Sequence, residues 1–270
     1  MKVLSKIYMA FIFFFLYAPI FVLIIFSFND STTMSRSVWS GFSLKWYTKL
    51  FQDGMILDAL RNTLIIALIA AIVSTVLGTA AAIGIGGMNK WMRRVTMNVT
   101  NLPMVNPEIV TGVSLMLLFV FVARGFGNVS LGMLSLILAH ITFCLPYVIL
   151  SVMPKLRQMD PHLYEAAQDL GCNPVLAFFK VVLPEIMPGV VTGMIMAFTL
   201  SIDDFVISYF TSGTTQTLPI FIYSMTRKRI SPEINALSTL LFGTIMVLLL
   251  IVNLRQSKDK KVEENMMEEA

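Results

Sequence analysis

Six runs of apolar residues, separated by short polar stretches, account for most of the chain. They cover 7–28, 62–88, 102–123, 130–153, 186–210 and 236–254, and none of them holds a Lys or an Arg. A hydrocarbon core of about 30 Å takes roughly 20 apolar residues to cross as a helix, so each run is long enough to span. The pattern predicts an all-α membrane protein with six transmembrane helices. Lys2 and Lys6 precede the first run as they would in a signal peptide. That run is too long for a signal, and no small-x-small site follows its exit at Phe26-Ser27-Phe28-Asn29-Asp30, so a retained span is expected.

The longest polar interruption between the later runs has its own helix punctuation. Asp160-Pro161 reads as an N-cap followed by proline at the first helical position, where the missing N–H costs nothing. About three turns follow over 161–170, and Gly171 suits the left-handed position that closes a helix. Asn173-Pro174 repeats the start signal, and a second short helix is expected to run to Leu183, with Pro184 as its stop. Ala166 and Ala167 keep the first helix thin, and Glu165 sets a charge beside them. A thin, capped helix held between two spans is suited to docking in a partner's groove; an ordinary surface connection is the alternative.

Composition agrees with the hydropathy pattern. The 270 residues are 56% hydrophobic and 13% charged, and the mean hydropathy is +0.77, outside the usual soluble range. With the N-terminus inside, eight of the 20 basic residues fall outside: Arg36, Lys45, Lys49, Arg61, Arg124, Arg227, Lys228 and Arg229. The other twelve fall on the cytoplasmic side, the sign the positive-inside rule requires. The polar island is thereby placed in the cytoplasm, with both termini. The net charge of +4 belongs to these flanks and gives no argument for nucleic acid. In the long outer loop, Trp46 with Leu50 and Tyr47 with Phe51 stand four apart, as in a helix lying along the membrane surface.

No catalytic set emerges. There is no phosphate-cradling Gly-x-x-x-x-Gly-Lys-Ser/Thr, and neither His140 nor His162 has the partner a zinc helix needs. Cys144 and Cys172 lack metal-like or redox-like spacing. His140 is expected to hydrogen-bond across a helix contact. The chemistry lies in acids within spans: Glu108 in the third, Asp203 and Asp204 in the fifth. A carboxylate at depth costs about 2.5–3.5 kcal/mol even on the lenient insertion scale, so such groups face a cavity or a partner. No span supplies a Lys or Arg, which leaves protonation, a cation from another subunit, or a cationic substrate. Pro103, Pro107, Pro188 and Gly189 loosen the backbone near these acids, as a lined path tolerates. Gly112, Gly193 and Gly243 serve close helix packing equally well.

Glu165-Ala166-Ala167, Gly171 and Val181-x-Leu183-Pro184 together resemble the signature loop of permease subunits of binding-protein-dependent ABC importers. Val181 stands where that family often has Ile. The stretches His140–Tyr147, Phe198–Asp204 and Ser231–Leu237 are similar to PotC-type permeases of spermidine/putrescine importers, and the likeness runs from about residue 8 to residue 255.

The resemblance implies a type I (MetI-like) permease fold. Its parts would be an N-terminal helix at 1–28, an extracytoplasmic loop with an interfacial helix at 29–61, and a five-span core at 62–254. The core would hold a cytoplasmic coupling loop at 154–185, and 255–270 would be a disordered cytoplasmic tail. The resemblance implies that Glu165, Ala166, Ala167, Gly171, Leu183 and Pro184 couple to an ATPase. The chain would bind no cofactor itself, with ATP and Mg on the partner ATPase. Its partners would be a second related permease, two copies of the cytoplasmic ATPase, an extracytoplasmic polyamine-binding protein and the lipid of the bacterial inner membrane. The in-span acids suit a polycationic cargo, so Glu108, Asp203, Asp204, Tyr147 and Tyr223 are the candidate substrate path. Tyr209 is a further aromatic face for a cation, a contact worth about 0.5–2 kcal/mol. The rival readings are a permease for an iron chelate or another amine, and a stand-alone cation-coupled transporter with the three acids as a proton relay.

Overall fold

The computed structural model describes residues 2–30, 39–126, 131–160, 162–228, 233–247 and 249–250. In chain order the helices are α1 (Lys2–Ser27), α2 (Lys45–Leu50), α3 (Gly54–Gly86), α4 (Lys90–Val105), α5 (Glu108–Phe126) and α6 (Met133–Gln158). Then come α7 (His162–Asp169), α8 (Pro174–Ala177), a π-helical turn at Phe178–Val182, α9 (Leu183–Asp203), α10 (Val206–Thr211), α11 (Leu218–Lys228) and α12 (Glu233–Val247). The described residues form no sheet; Asn29 and Phe42 make one isolated bridge. The chain divides into two units, Met1–Leu60 with Leu218–Val247, and Arg61–Thr217 with Leu248–Ala270. The expected tail at 255–270 lies outside the described residues.

In the first unit, α1 ends where polar groups take over from an apolar run. Ser27 Oγ donates to Ile24 O at 2.6 Å and shares a 2.7 Å hydrogen bond with the Tyr47 hydroxyl. Trp46 Nε1 donates to Asn29 O at 2.8 Å, and Lys45 pairs with Asp30. These bonds hold α2 against the exit of α1. Leu50 is buried in a core with Ile56, Ala59, Leu218, Phe221, Ala236 and Leu237, and Trp46 and Tyr47 pack against it. The helix expected to lie along the membrane surface thus packs Trp46 and Tyr47 on this core, while Phe51 stays exposed. Lys49 pairs with Glu233 at the start of α12.

In the second unit α6 is the central helix, buried over most of its length. It is gripped through glycines. A Cβ on Gly78 of α3 would stand 2.7 Å from the Val148 side chain, and one on Gly189 of α9 would stand 2.8 Å from Ser151 O. Gly193 faces Val148 and Ser151 in the same way. In a bilayer, helices gain by such close van der Waals approach, and small residues permit it. Gly112 of α5 seats α10 likewise, against Phe210 and Ile207. Gly243 has nothing nearby.

Among the described residues five helices are long and apolar enough to span, and α12, also apolar, is described over Glu233–Val247. Several boundaries differ from the hydropathy reading: α3 begins at Gly54 rather than 62, and α6 runs on to Gln158 rather than ending at 153. The expected third span at 102–123 starts only at Glu108, because 102–105 belong to α4. Asn106 is extended (φ −71°, ψ 141°), the conformation that a following proline favours, and the chain restarts after Pro107. The fifth span does not run to 210: α9 stops at Asp203, Asp204 is extended, and α10 is a separate piece. Pro184 does not stop a helix. The segment Pro174–Asp203 is one helical span, because the π turn before Leu183 makes a longer bond, Leu183 N–H to Phe178 O. That extra residue lets the helix pass the proline, whose ring would otherwise crowd the preceding turn.

Candidate functional site: a capped loop and an acid cluster at a broken helix

The loop between α6 and α9 folds as its punctuation predicts. Asp160 Oδ1 accepts from the His162 N–H at 2.9 Å; Pro161 itself lies outside the described residues. At the other end Gly171 has φ +89°, and Gly171 N–H and Cys172 N–H donate to Gln168 O and Ala167 O. That pair of bonds is a Schellman closure, which satisfies carbonyls that the helix end would orphan. Asn173 Oδ1 then caps the next helix by accepting from Leu176 N–H at 2.7 Å.

The two alanines have different surroundings. Ala167 is buried, while Glu165 and Ala166 are exposed, with His162 Nδ1 3.5 Å from the Glu165 carboxylate. Leu183 is half-buried and Pro184 exposed. Around them the loop leaves apolar side chains uncovered: Leu170 is 88% exposed, Val175 66% and Phe179 58%. These exposed apolar groups follow the charged, capped helix α7, at its C-terminal end, on α8 and on the π turn.

The second feature lies where α9 breaks. Asp204 is buried, and its carboxylate accepts from Ser208 N–H at 2.8 Å and from Ile207 N–H at 3.3 Å. It therefore supplies the acceptors that the first turn of α10 lacks. His140, 1% exposed in the middle of α6, bridges the break. Its Nδ1 is 2.6 Å from Ser201 Oγ on α9, and its Nε2 is 2.9 Å from Ser208 Oγ on α10. The expectation that His140 bonds across a helix contact holds. The group beside Asp204 is neither Lys nor Arg but the His140 imidazole; in the sequence its signal is a lone histidine on an apolar helix.

Asp203 and Glu108 are exposed, by contrast. Glu108 acts electrostatically on both Asp203 and Tyr147, and Asp204 acts on Asp203, so the second unit gathers these four residues into one neighbourhood. Glu108 opens α5 just after one helix break and Asp203 closes α9 just before another, so the two breaks lie within electrostatic reach of each other. Tyr147 is half-buried and packs edge-on to Phe143. Tyr209 is exposed, flanked by Phe205 and Phe210. Tyr223 belongs to the first unit, and Arg227 already stands over its ring, 5.4 Å from the centroid. Among the described residues no group of three or more His, Cys, Asp or Glu is arranged to hold a metal ion.

Residues 74–256 match the family described as "Binding-protein-dependent transport system inner membrane component". This chain belongs to that family. It is 42% identical over 239 residues to the "Putrescine transport system permease protein PotI" of Escherichia coli (strain K12), covering 86% of this chain and 83% of that one. It is 36% identical over 258 residues to the "Spermidine/putrescine transport system permease protein PotC" of Haemophilus influenzae (strain ATCC 51907 / DSM 11121 / KW20 / Rd), covering 95% and 97%. A solved bacterial ABC transporter for the acidic polysaccharide alginate shares the fold, with a TM-score of 0.70 at 16% identity over 97% of this chain and 96% of the other.

The chain is thus a multi-pass permease subunit of an ABC importer, with the all-α MetI-like fold. As a permease it is a transport subunit, and ATP hydrolysis is the work of a separate ATPase. Membership in the family displaces the stand-alone transporter reading.

Proposed function

We propose that this permease passes polyamines through the membrane and that Glu108 and Asp203 line the route. The relatives named above are polyamine permeases, and the local chemistry agrees. Two exposed carboxylates placed where two helices break need a cation, and a polyamine brings several. Tyr147 adds a polarisable face at the same spot. Asp204 has a different part: engaged by two backbone N–H groups and His140, it holds the break open and so sets where Asp203 stands.

The rest of the machine follows the family pattern. A second related permease would complete the conduit, an extracytoplasmic binding protein would deliver cargo, and two copies of the ATPase would dock at Glu165, Ala166 and the exposed Leu170. Both termini would lie in the cytoplasm of a bacterial inner membrane. The chain would bind no cofactor, with ATP and Mg held by the ATPase. Closure of the ATPase dimer would move α7 as a rigid piece and open the outer gate, and hydrolysis would reset it. An inside-negative potential draws cations inward by about 2.3 kcal/mol per charge per 100 mV, so the gate has to be tight.

The single observation that carries this reading is the cluster of Glu108, Asp203 and Tyr147 beside two helix breaks. Its test is uptake of labelled putrescine and spermidine into vesicles holding the assembled importer, with Glu108→Gln/Asp203→Asn beside the unaltered protein. Uptake should fall at least tenfold in the variant, and excess anionic solute should not compete. Undiminished uptake in the double variant, or competition by the anion, would refute it.

A further inference from the structure

A second site lies at the other end of the same unit. A cavity of about 600 Å³ opens where α3 and α6 run out, with Ile83, Leu156, Phe178 and Val182 on its apolar side. Arg93 from α4 and Arg157 from the last turn of α6 also line it. Neither arginine makes a salt bridge among the described residues. Tyr164 of α7 completes the wall.

We propose that this cavity binds an anionic phospholipid, with the phosphate on Arg93 and Arg157 and the start of an acyl chain along Ile83, Leu156 and Phe178. Three features of the cavity converge on that ligand. Two guanidinium groups from different helices suit one phosphodiester, since each presents a planar fork of donors to phosphate oxygens. The apolar side calls for hydrocarbon, which inorganic phosphate would leave uncovered. The candidate spans Gly54–Gly86 and Met133–Gln158 both end at this cavity, which puts it at the depth of lipid headgroups. A polyamine is excluded as occupant, because two arginines repel a polycation.

Such a lipid would touch Tyr164 on the docking helix and Phe178 and Val182 on the π turn together. It would brace the loop from behind while its outer face is left for the ATPase. The proposal does not depend on which solute is carried, and its test needs no transport assay.

The test takes the full chain, purified in detergent and stripped of lipid. It is titrated with dioleoyl-phosphatidylglycerol, with phosphatidylcholine of the same chains, and with inorganic phosphate. Native mass spectrometry reads bound lipid and thermal unfolding reads the stabilisation. Phosphatidylglycerol should bind and raise the Tm, while the other two should do neither. Arg93→Ala/Arg157→Ala should weaken that binding by about tenfold or more, the scale of two basic groups at an anionic surface. Arg93→Lys/Arg157→Lys, which keeps the charge and loses the fork, should bind between the unaltered protein and the double alanine variant, and Arg94→Ala, off the cavity, should retain all of it. Equal binding by the double alanine variant would overturn the proposal, as would phosphatidylcholine matching phosphatidylglycerol. An equal shift with inorganic phosphate would mean a soluble anion is the ligand and would overturn it too. If the double alanine variant does not fold, Leu156→Trp fills the apolar side and keeps both charges. Loss of lipid from that variant supports the site, and undiminished binding refutes it.

Discussion

Nε2 of His140 lies 3.5 Å from Oδ2 of Asp204, the same oxygen that takes the Ser208 N–H. Imidazole, carboxylate and serine thereby close a ring around the gap between α9 and α10. Neighbours in sequence, Asp203 and Asp204 have opposite circumstances: one is spent on holding the backbone, the other is open. They should therefore fail differently when altered.

Asp204→Asn should cost stability first. An amide keeps the shape but replaces charged acceptors for two N–H groups, a loss of about 1–3 kcal/mol. Thermal unfolding of the purified chain should show a lowered Tm, and His140→Ala should lower it as well. An unchanged Tm in both would mean the ring does not support the break.

Asp203→Asn should do the reverse. An exposed carboxylate whose backbone hydrogen bond is to its own residue can be neutralised without loss of fold, so Tm and assembly should hold while polyamine uptake falls about tenfold, or about 1.4 kcal/mol. Normal uptake at normal expression would remove Asp203 from the route.

The docking loop invites a change of charge and a change of surface. Glu165→Lys and Leu170→Asp leave both caps of α7 intact, so the loop should stay folded. Each should cut co-purification of the ATPase several-fold. Gly171→Ala acts through the backbone instead, placing a Cβ in the left-handed region at a cost of about 1–2 kcal/mol. It should lower the Tm of the chain even in the absence of any ATPase.

Packing around α6 has its own test. Gly189→Val forces a side chain into Ser151 O and should destabilise by about 1–3 kcal/mol through overpacking. Gly84→Ala meets nothing within 4 Å and should be neutral or mildly stabilising, since alanine is the better helix former. Equal Tm values for the two variants would contradict the close contact.

Much of this was legible in the residues. Asp160, Gly171 and Asn173 announce the loop because capping is local chemistry, settled within four residues of the cap. The breaks were harder. Hydropathy runs straight through Leu102 and Val105, while the Asn89 cap and the apolar spacing of Trp91, Val95, Val99 and Leu102 mark α4 as a separate helix. The interruption at Asp204 involves neither proline nor glycine; it depends on His140, sixty-odd positions away in sequence. Pro184 misled for the opposite reason. Its usual penalty is absorbed by a π turn that no pattern of residue types announces.

That π turn has a mechanical consequence. Because it carries the chain past Pro184 without a loop, Pro174–Asp203 is a single shaft of 30 residues. At 1.5 Å per residue it is about 45 Å long, and rocking it by about 5° about its middle swings the far tip by roughly 2 Å. Whatever grips the shaft near Val175 and Phe179 holds the handle of a lever whose opposite end carries the carboxylate of Asp203. A stroke of that size separates a made contact from a broken one, with no relay of side chains in between.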